Sequence, residues 1–354
     1  MGILDEEFSR FQELSTEEKI ECFEKDGRLF DLIISQQLDR KILDHIYEIT
    51  NRLRQISKSK AGSIFMQNIL CHKRAMLYFT QPSSRTFLSF ESACHMLGMR
   101  TSEIRDARVS SEIKGESYDD SLRTFSSYTD LIIIRHIGQD AAERVAWLLN
   151  TRTNRPISVI NGGSGSDQHP TQAMLDVYTL QRSFANQGGL DGKTILMCGD
   201  LRRGRTVRSL SYLMKNFEDI QIIFAAPQPF QMKEDVCNFL EKLKIRYHVE
   251  TKSLENVLSE ADAIYMTRIQ DEHDAVAGES GQIDTSKFKL RPSQMSKVKS
   301  NAVIMHPFPR RDEIDVVIDS DPRAMYWRQE RNGMWTRAAL IAYIFNVHEE
   351  ILKY

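Results

Sequence analysis

The chain has 354 residues, which is long for one domain and suits two. Lysine and arginine (47) nearly balance aspartate and glutamate (49), and apolar residues make up 41%. The net charge of -2 therefore excludes a general attraction for nucleic acid or an anionic membrane. No run is apolar for the roughly 18 residues that a membrane span needs. Any anionic ligand must be held by local clusters of side chains.

Cysteine usage and the first residues indicate the compartment. The five cysteines show neither metal nor redox spacing, and an odd number suits a reducing cytosol better than a disulfide framework. Residues 1–10 are acidic and lack the apolar run of a signal peptide. We therefore expect a cytoplasmic protein.

In chain order, residues 1–30 predict charge-rich helix, in which Ser15 and Glu18 have the spacing of a capping box. Apolar residues recur at helical spacing over Leu38–Ile56. Short apolar runs then alternate with helical patterns, which is typical of parallel sheet buried on both faces. The predicted strands are Ala75–Phe79, Leu131–Ile134, Ser158–Ile160, Thr194–Cys198, Gln221–Phe224, Ala263–Met266 and Ala302–Met305. The last segment, Trp335–Lys353, predicts one amphipathic helix.

This order of elements predicts an α/β fold, with two doubly wound parallel-sheet domains, a cleft between them and a C-terminal helix that returns to the first domain. A boundary is expected near Gln187-Gly188-Gly189. The predicted parts are an N-terminal extension (1–30), a first domain (31–186 with 335–354) and a second domain (187–334). The extension could cover the first domain, contact other subunits or bind a regulatory partner.

Polar residues cluster where the predicted strands end, which is where ligands bind in open parallel sheets. Several clusters contain arginine, so we expect a ligand with more than one negative group. The clusters are Pro82–Thr86, Arg135-His136, Gly162–Gln172, Asp200–Thr206, Thr267–Gln270 and His306–Arg310.

The sharpest cluster is Ser83-Ser84-Arg85-Thr86, which precedes a predicted helix. Ser83 is a natural N-cap, and the free N–H groups and positive dipole end of that helix favour a phosphate. The hydroxyls and the guanidinium add further donors. A capped helix with a surface arginine would give the same four residues, so this cluster alone leaves both interpretations open.

A second helix start places Pro170 at the favoured first helical position. His169 and Gln172 are then expected at its exposed amino end, where capping explains the pattern as well as catalysis does. Lys114 lies in a polar loop, and a lone loop lysine is usually only solvated.

Together these segments resemble aspartate carbamoyltransferases, from about Leu32 to the C-terminus. Carbamoyltransferases in general share the first-half motifs, which are Pro82–Thr86 with Ser89-Phe90-Glu91, Lys114-Gly115-Glu116, Arg135-His136 and His169–Gln172. The more specific second-half motifs are Gly199–Leu201 with Gly204–Val207, Tyr265–Gln270 and His306–Arg310. Ornithine-type relatives carry a cysteine where this chain has Pro307.

The resemblance implies a first domain that binds carbamoyl phosphate and a second that binds L-aspartate. The implied phosphate ligands are Ser83, Ser84, Arg85, Thr86 and Arg135. The implied donors to the carbonyl oxygen are Thr86, Arg135 and His169. The residues implied to position the carbamoyl amide are Gln172, Pro307 and Phe308. The implied ligands of the aspartate carboxylates are Arg205, Arg268 and Gln270, among which the guanidiniums suit carboxylates.

The chemistry that the resemblance implies needs no covalent nucleophile, metal or organic cofactor. A deprotonated amine attacks the carbonyl and phosphate leaves, so catalysis is positioning and charge stabilisation. In the family, the loop matching Ser110 and Lys114 enters a neighbouring active site and contacts carbamoyl phosphate, with Lys114 also reaching aspartate. The resemblance therefore implies a homotrimer with shared active sites. A regulatory or dihydroorotase partner stays open.

The chain departs from the family at two positions. Gln81 stands where the family usually has glutamate, and His273 stands where it often has arginine. In well-known members these two positions form an ionic contact on domain closure, and losing both charges leaves neither partner unpaired. We hypothesise a neutral or histidine-dependent contact here.

Two other functions stay open. A transcarbamylase for a different amine is one, because Phe308 replaces the common leucine. The other is a catalytically silent binding or assembly module. Such a chain would be expected to lose Arg85, Thr86, His169 or Arg268, and all four are present.

Overall fold

The computed structural model describes residues 3–106, 115–165, 168–274, 276 and 278–354. The predicted site residues Ser110 and Lys114 lie outside the described residues, as does the side chain of His273. The chain divides into two compact units, Met1–Thr171 with Gly333–Tyr354 and Gln172–Asn332. The chain passes from the first unit to the second between Thr171 and Gln172, inside the helix Pro170–Phe184. The domain boundary predicted from the sequence, between residues 186 and 187, stays a prediction.

The N-terminal residues form a cover on the first unit. They comprise α1 (Ile3–Gln12), α2 (Thr16–Cys22) and a short antiparallel pair, β1 (Glu24–Lys25) and β2 (Arg28–Leu29). The predicted capping box of Ser15 and Glu18 is confirmed at the start of α2. Phe8 and Phe11 are buried against Trp147, with Phe11 also packed on the buried Phe23. Of the roles considered for the extension, covering the first unit is therefore the one that its contacts support.

The first unit is built on a four-stranded parallel sheet. Its elements in chain order are α3 (Arg40–Ile56), α4 (Lys60–Ile69), β3 (Arg74–Phe79), α5 (Ser84–Met96), β4 (Arg100–Ile104), α6 (Tyr118–Ser126), β5 (Leu131–Arg135), α7 (Ala141–Arg152), β6 (Ser158–Asn161) and the start of α8 (Pro170–Phe184), most of which belongs to the second unit. The strand order is β4-β3-β5-β6, and Leu32 adds a parallel bridge to Ile160 at the β6 edge.

The second unit is built on a five-stranded parallel sheet of order β11-β10-β7-β8-β9. Its elements are β7 (Thr194–Cys198), α9 (Arg205–Leu213), β8 (Gln221–Ala225), α10 (Glu234–Lys242), β9 (Arg246–Glu250), β10 (Ala263–Met266), β11 (Val303–Met305) and the start of α11 (Tyr326–Ile344). Apolar residues of the inner strands β7 and β10, among them Leu196 and Ile264, form the core with residues of the surrounding segments. The predicted α/β fold with two parallel sheets is confirmed.

The C-terminal residues do not form one helix, so that part of the sequence prediction is wrong. Helix α11 ends at Ile344 and a separate α12 (His348–Lys353) follows. Between them Asn346 takes a positive φ of 56°, a conformation that asparagine tolerates better than most residues and that stops a helix. Residues Gly333–Tyr354 belong to the first unit, which confirms the predicted return. In the part of the chain that the structure describes, no helix has the length and apolar character needed to span a membrane.

Candidate active site

Three neighbouring strand ends in the first unit carry the predicted site residues. Phe79 pairs with Arg135, and Ile134 pairs with Asn161, so β3, β5 and β6 end side by side. The Gln81 backbone N–H donates to the Arg135 carbonyl oxygen at 3.2 Å. This contact ties the loop before α5 to the end of β5.

The start of α5 offers donors to an anion. Ser83 occupies the N-cap position, yet within the described structure its hydroxyl makes no capping hydrogen bond, which differs from the expected cap. The first-turn N–H groups of a helix lack intrahelical acceptors and carry the positive end of its dipole. The exposed Ser84 and Arg85 lie in this turn, and Thr86 is buried beside them. The turn therefore suits a phosphate-like group.

Gly163 shows that Arg135 and His169 lie next to one another. Its φ is +99°, and a Cβ there would lie 2.8 Å from both Arg135 Nη1 and His169 Cδ2. Asn161 Oδ1 holds this turn by accepting a hydrogen bond from the Gly163 N–H at 2.8 Å. A guanidinium and an imidazole thus share the space that a residue without a side chain leaves open. We call Ser83–Thr86, Arg135 and His169 the first-unit cluster.

The expected exposure of His169 and Gln172 is wrong. Pro170 begins α8 as predicted, but His169 and Gln172 are only 4% and 6% exposed, because the first turns of α8 are buried on all sides. His169 Nδ1 lies 3.5 Å from the Thr171 hydroxyl. Gln172 Nε2 donates to Asp176 Oδ1 at 3.0 Å, so its amide is oriented by its own helix.

Asp176 is a buried carboxylate of the second unit that joins three elements. It accepts hydrogen bonds from Gln172 at 3.0 Å, from Gln329 Nε2 at 2.7 Å and from the Tyr265 hydroxyl at 2.7 Å. Burial raises the pKa of Asp176 to about 7, because the lost hydration penalises the charged form more than the hydrogen bonds favour it. The sequence prediction did not identify this residue.

A second group of strand ends meets in the second unit. Gly199 has a φ of +118°, and a Cβ there would lie 2.0 Å from the Thr267 carbonyl oxygen, so the ends of β7 and β10 are in close contact. The Thr267 N–H donates to the Cys198 carbonyl oxygen at 2.7 Å. As a result the Gln270 N–H reaches Asp200 Oδ2 at 3.1 Å.

Arg205, Arg268 and Gln270 lie at these strand ends, and we call them the second-unit cluster. Arg205 is the first residue of α9. Arg268 forms a two-pronged ion pair with Glu272, with Nη1 donating to Oε2 at 2.7 Å and Nη2 donating to Oε1. The hydrogen bond from Arg268 lowers the pKa of Glu272. Arg268 is therefore already arranged as a fork for a carboxylate.

His306 holds the loop that carries Pro307 and Phe308. Its buried ring places Nε2 at 2.6 Å from Glu313 Oε1, while Nδ1 accepts from the Phe308 N–H at 2.8 Å. Because Nδ1 accepts, Nε2 carries the proton that is donated to Glu313. Burial alone would raise the pKa of Glu313, but the hydrogen bond from His306 lowers it. Phe308 has a positive φ of 52°, and its ring packs on Trp327 at 4.9 Å between centroids.

Sequence reasoning missed the carboxylates that contact the predicted site residues Gln172, Arg268 and Gln270. Asp176 and Glu272 lie outside the recognised motifs, and Asp200 lies in one of them but was assigned no role of its own. Asp176 and Asp200 are buried and contact residues distant in sequence, which residue spacing does not reveal. Glu272 pairs with Arg268 only four residues away, a spacing that the sequence does contain. Among the described residues, no group of three or more histidine, cysteine or acidic side chains is placed to hold a metal ion.

Two family models match most of the chain. The carbamoyl-P binding domain of aspartate/ornithine carbamoyltransferase matches residues 31–182, and the Asp/Orn binding domain matches residues 191–344. The chain is 39% identical over 326 residues to the chloroplastic aspartate carbamoyltransferase 2 of Pisum sativum, covering 91% of this chain and 81% of the relative. It is 38% identical to the aspartate carbamoyltransferase catalytic subunit of Thermoplasma volcanium, covering 84% of this chain and 92% of the relative.

Solved structures agree with these matches. Aspartate transcarbamoylase from Trypanosoma cruzi in complex with N-(phosphonacetyl)-L-aspartic acid has a TM-score of 0.79 at 31% identity, covering 89% of this chain and 95% of that chain. The catalytic subunit of M. jannaschii aspartate transcarbamoylase has a TM-score of 0.77 at 31% identity, covering 91% and 99%. The chain belongs to the aspartate/ornithine carbamoyltransferase family.

Proposed function

We propose that this chain transfers the carbamoyl group of carbamoyl phosphate to the amino group of L-aspartate, a step of pyrimidine biosynthesis. The products are N-carbamoyl-L-aspartate and phosphate. The observation that carries the choice of acceptor is Arg268, which binds the carboxylate of Glu272 through two nitrogens beside Gln270. The similar proteins of Pisum sativum and Trypanosoma cruzi are named as aspartate carbamoyltransferases.

We assign carbamoyl phosphate to the first-unit cluster. The N–H groups at the start of α5 bind the phosphate together with Ser83, Ser84 and Arg85. Thr86, Arg135 and His169 donate to the carbonyl oxygen, on which negative charge grows as the tetrahedral intermediate forms. Each such donor contributes about a hundred- to a thousand-fold to the rate. The amide of the carbamoyl group is held by Gln172, Pro307 and Phe308.

We assign aspartate to the second-unit cluster. Arg205, Arg268 and Gln270 bind its two carboxylates, and the amine, once deprotonated, attacks the carbamoyl carbon. A C–N bond forms and the C–O bond to phosphate breaks, so the electron pair leaves with phosphate. Catalysis then comes from holding the two reactants together and from stabilising the oxyanion.

The function is tested with purified protein, carbamoyl phosphate and either aspartate or ornithine as the acceptor. We expect carbamoyl-aspartate from aspartate and no carbamoylated product from ornithine. Turnover with ornithine alone would instead support the transcarbamylase for a different amine. Phosphate release without any carbamoylated product would contradict both.

We also infer a homotrimer in which Ser110 and Lys114 of one subunit complete the site of the next. The support is the resemblance of that loop to the family's, which is a property of the sequence. Mixing inactive Ser83→Ala and Lys114→Ala subunits tests this inference. A shared site regains function when an intact Ser83 comes from a Lys114→Ala subunit and an intact Lys114 comes from a neighbouring Ser83→Ala subunit. A random mixture should recover roughly a quarter of wild-type activity. Recovery of none would contradict shared sites.

We propose that the protein works in the cytoplasm. All five cysteines are free thiols in the structure, which suits a reducing compartment. A regulatory or dihydroorotase partner stays an open possibility, and light scattering of the purified chain, alone and with such a partner, measures the assembly.

A further inference from the structure

Arg203 joins separate parts of the second unit through all three nitrogens of its guanidinium. Nε donates to Asp200 Oδ2 at 2.7 Å, and Nη1 donates to Asp274 Oδ1 at 2.7 Å. Nη2 donates to the Ser280 hydroxyl at 2.8 Å. No motif in the sequence assigns a role to this arginine.

The first of these contacts leads directly to the second-unit cluster. Asp200 is fully buried, and the oxygen that receives Arg203 Nε also accepts from the Gln270 N–H at 3.1 Å. A buried carboxylate needs a countercharge, and removing its partner leaves an uncompensated charge. Without Arg203, the buried carboxylate of Asp200 lacks its countercharge and is no longer held in place, so the Gln270 backbone loses its anchor.

The other two contacts fix residues that follow Gln270 along the chain. Asp274 accepts from Arg203, and its Oδ2 accepts from the Ser280 N–H at 3.1 Å. The side chains of Arg203 and Asp274 are 18% and 3% exposed, so water screens this pair little. Arg203 therefore holds the Gln270 segment at Asp200 and again at Asp274 and Ser280.

A neighbouring ion pair, Arg311–Asp271, restrains the same segment but is more exposed to solvent than the contacts of Arg203. Arg311 binds Asp271 through two hydrogen bonds of 2.8 and 2.9 Å, but these side chains are 52% and 48% exposed. Exposed pairs contribute little because solvent and salt screen them. The enclosed contacts of Arg203 are therefore the stronger restraint on the same segment.

We propose that Arg203 is a positioning residue for the acceptor, which holds the backbone of Gln270 in the geometry that binds aspartate. The inference rests on the proposed function and extends it to a residue that acts through Asp200 and Gln270. Arg202 offers a matched comparison, because it is the adjacent arginine and its side chain is exposed. Its backbone N–H donates to the Phe230 carbonyl oxygen at 3.0 Å, a bond that a side-chain substitution leaves in place.

The test compares Arg203→Gln with Arg202→Gln by steady-state kinetics, varying each substrate in turn. We expect Arg203→Gln to raise the KM for aspartate by about tenfold or more, because it removes charge-assisted hydrogen bonds. In Arg203→Gln, the KM for carbamoyl phosphate should stay within about twofold of the wild-type value. In Arg202→Gln, the KM values for both substrates should stay within the same range. Arg203→Lys should give an intermediate KM, since a compact ammonium restores the charge but cannot span three acceptors.

Hydrogen exchange of residues 268–274 gives a second measurement that does not depend on turnover. Arg203→Gln should speed exchange there, and Arg202→Gln should not. Asp274→Asn leaves the Arg203–Asp200 pair intact and should raise the aspartate KM less than Arg203→Gln does. This variant still tests the inference if Arg203→Gln fails to fold.

Two results would overturn the inference. One is unchanged exchange and aspartate KM in Arg203→Gln, and the other is an equal rise in the KM for both substrates. An inactive wild-type chain would contradict the proposed function instead, whereas an active wild-type chain with an unaffected variant contradicts only the role of Arg203.

Discussion

The Tyr265 hydroxyl donates to the Asp176 carboxylate at 2.7 Å, and both side chains are buried in the second unit. The contact ties strand β10 to helix α8 within the core. Burial, with the nearby carboxylate, raises the pKa of Tyr265 well above its ordinary value, and burial raises that of Asp176 to about 7. Asp176 therefore keeps its proton under mildly acidic conditions in which an exposed aspartate is ionised.

The free energy of unfolding should consequently contain a term from Asp176 that falls between about pH 4 and about pH 7. In this window the unfolded chain releases the proton while the folded chain retains it, and above it both are ionised. A rise from 3.8 to about 7 corresponds to roughly 4 kcal/mol. Asp176→Asn removes this term, so its stability relative to wild type should improve as the pH rises through the window.

Unfolding by denaturant at several pH values measures this prediction. Asp219→Asn is the control, because that aspartate is exposed and its positive φ of 52° also suits asparagine. Parallel pH profiles for wild type and Asp176→Asn would contradict the account.

Gly163→Ala should disable the first-unit cluster. The added Cβ would lie 2.8 Å from both Arg135 and His169, so one or both must move away from the carbonyl oxygen. We expect kcat to fall by about a hundredfold or more, the effect of losing one donor to an oxyanion.

The control for backbone strain is Gly188→Ala. Gly188 has a φ of +84°, but a Cβ there meets no described atom within 4 Å. Both variants should lose some stability because alanine disfavours a positive φ, whereas only Gly163→Ala should lose activity. Equal kcat in the two variants would rule out the proposed crowding around Gly163.

Arg85→Ala and Arg268→Ala should separate the two substrates. Arg85 lies in the first turn of α5, to which we assign the phosphate, and Arg268 forms the fork that we assign to aspartate. We expect Arg85→Ala to raise the KM for carbamoyl phosphate and Arg268→Ala to raise that for aspartate, each by about tenfold or more. Initial rates over a grid of both substrates measure this. If both variants changed the same KM, the assignment of one substrate to each unit would be wrong.

Phe11→Ala should destabilise the first unit. Phe11 is 6% exposed, and its ring lies 5.9 Å from that of Phe23 and 6.4 Å from that of Trp147. Truncating a buried phenylalanine costs about 3–5 kcal/mol. Ile3→Ala on the same helix is the control, since Ile3 is 78% exposed. Equal unfolding free energies for the two variants would show that α1 contributes no packing.

The strands that form continuous apolar runs could be predicted from sequence, whereas the two polar edge strands could not. Strands such as β5 are buried on both faces, so they read as continuous apolar runs. Strands β4 and β9 lie at sheet edges and carry mostly polar, partly exposed residues, for which the apolar signal is absent. The C-terminal break was missed for a different reason, because amphipathic spacing continues across Asn346 although the helix does not.

The candidate site was predictable only as far as its motifs reach. The strand-end clusters were located because parallel strands end at one edge of a sheet. The burial of His169 and the contacts of Arg203 with Asp274 and Ser280 depend on tertiary structure, which spacing along the chain does not encode.

In the reaction that we propose, a bond forms between the carbamoyl carbon and the amino nitrogen of aspartate. This bond is observed directly when ¹³C-labelled carbamoyl phosphate and ¹⁵N-labelled aspartate are supplied to the purified protein and the mixture is followed by NMR. We expect a one-bond ¹³C–¹⁵N coupling in the product, which grows in step with released phosphate. Phosphate release while aspartate keeps its uncoupled nitrogen signal would contradict it.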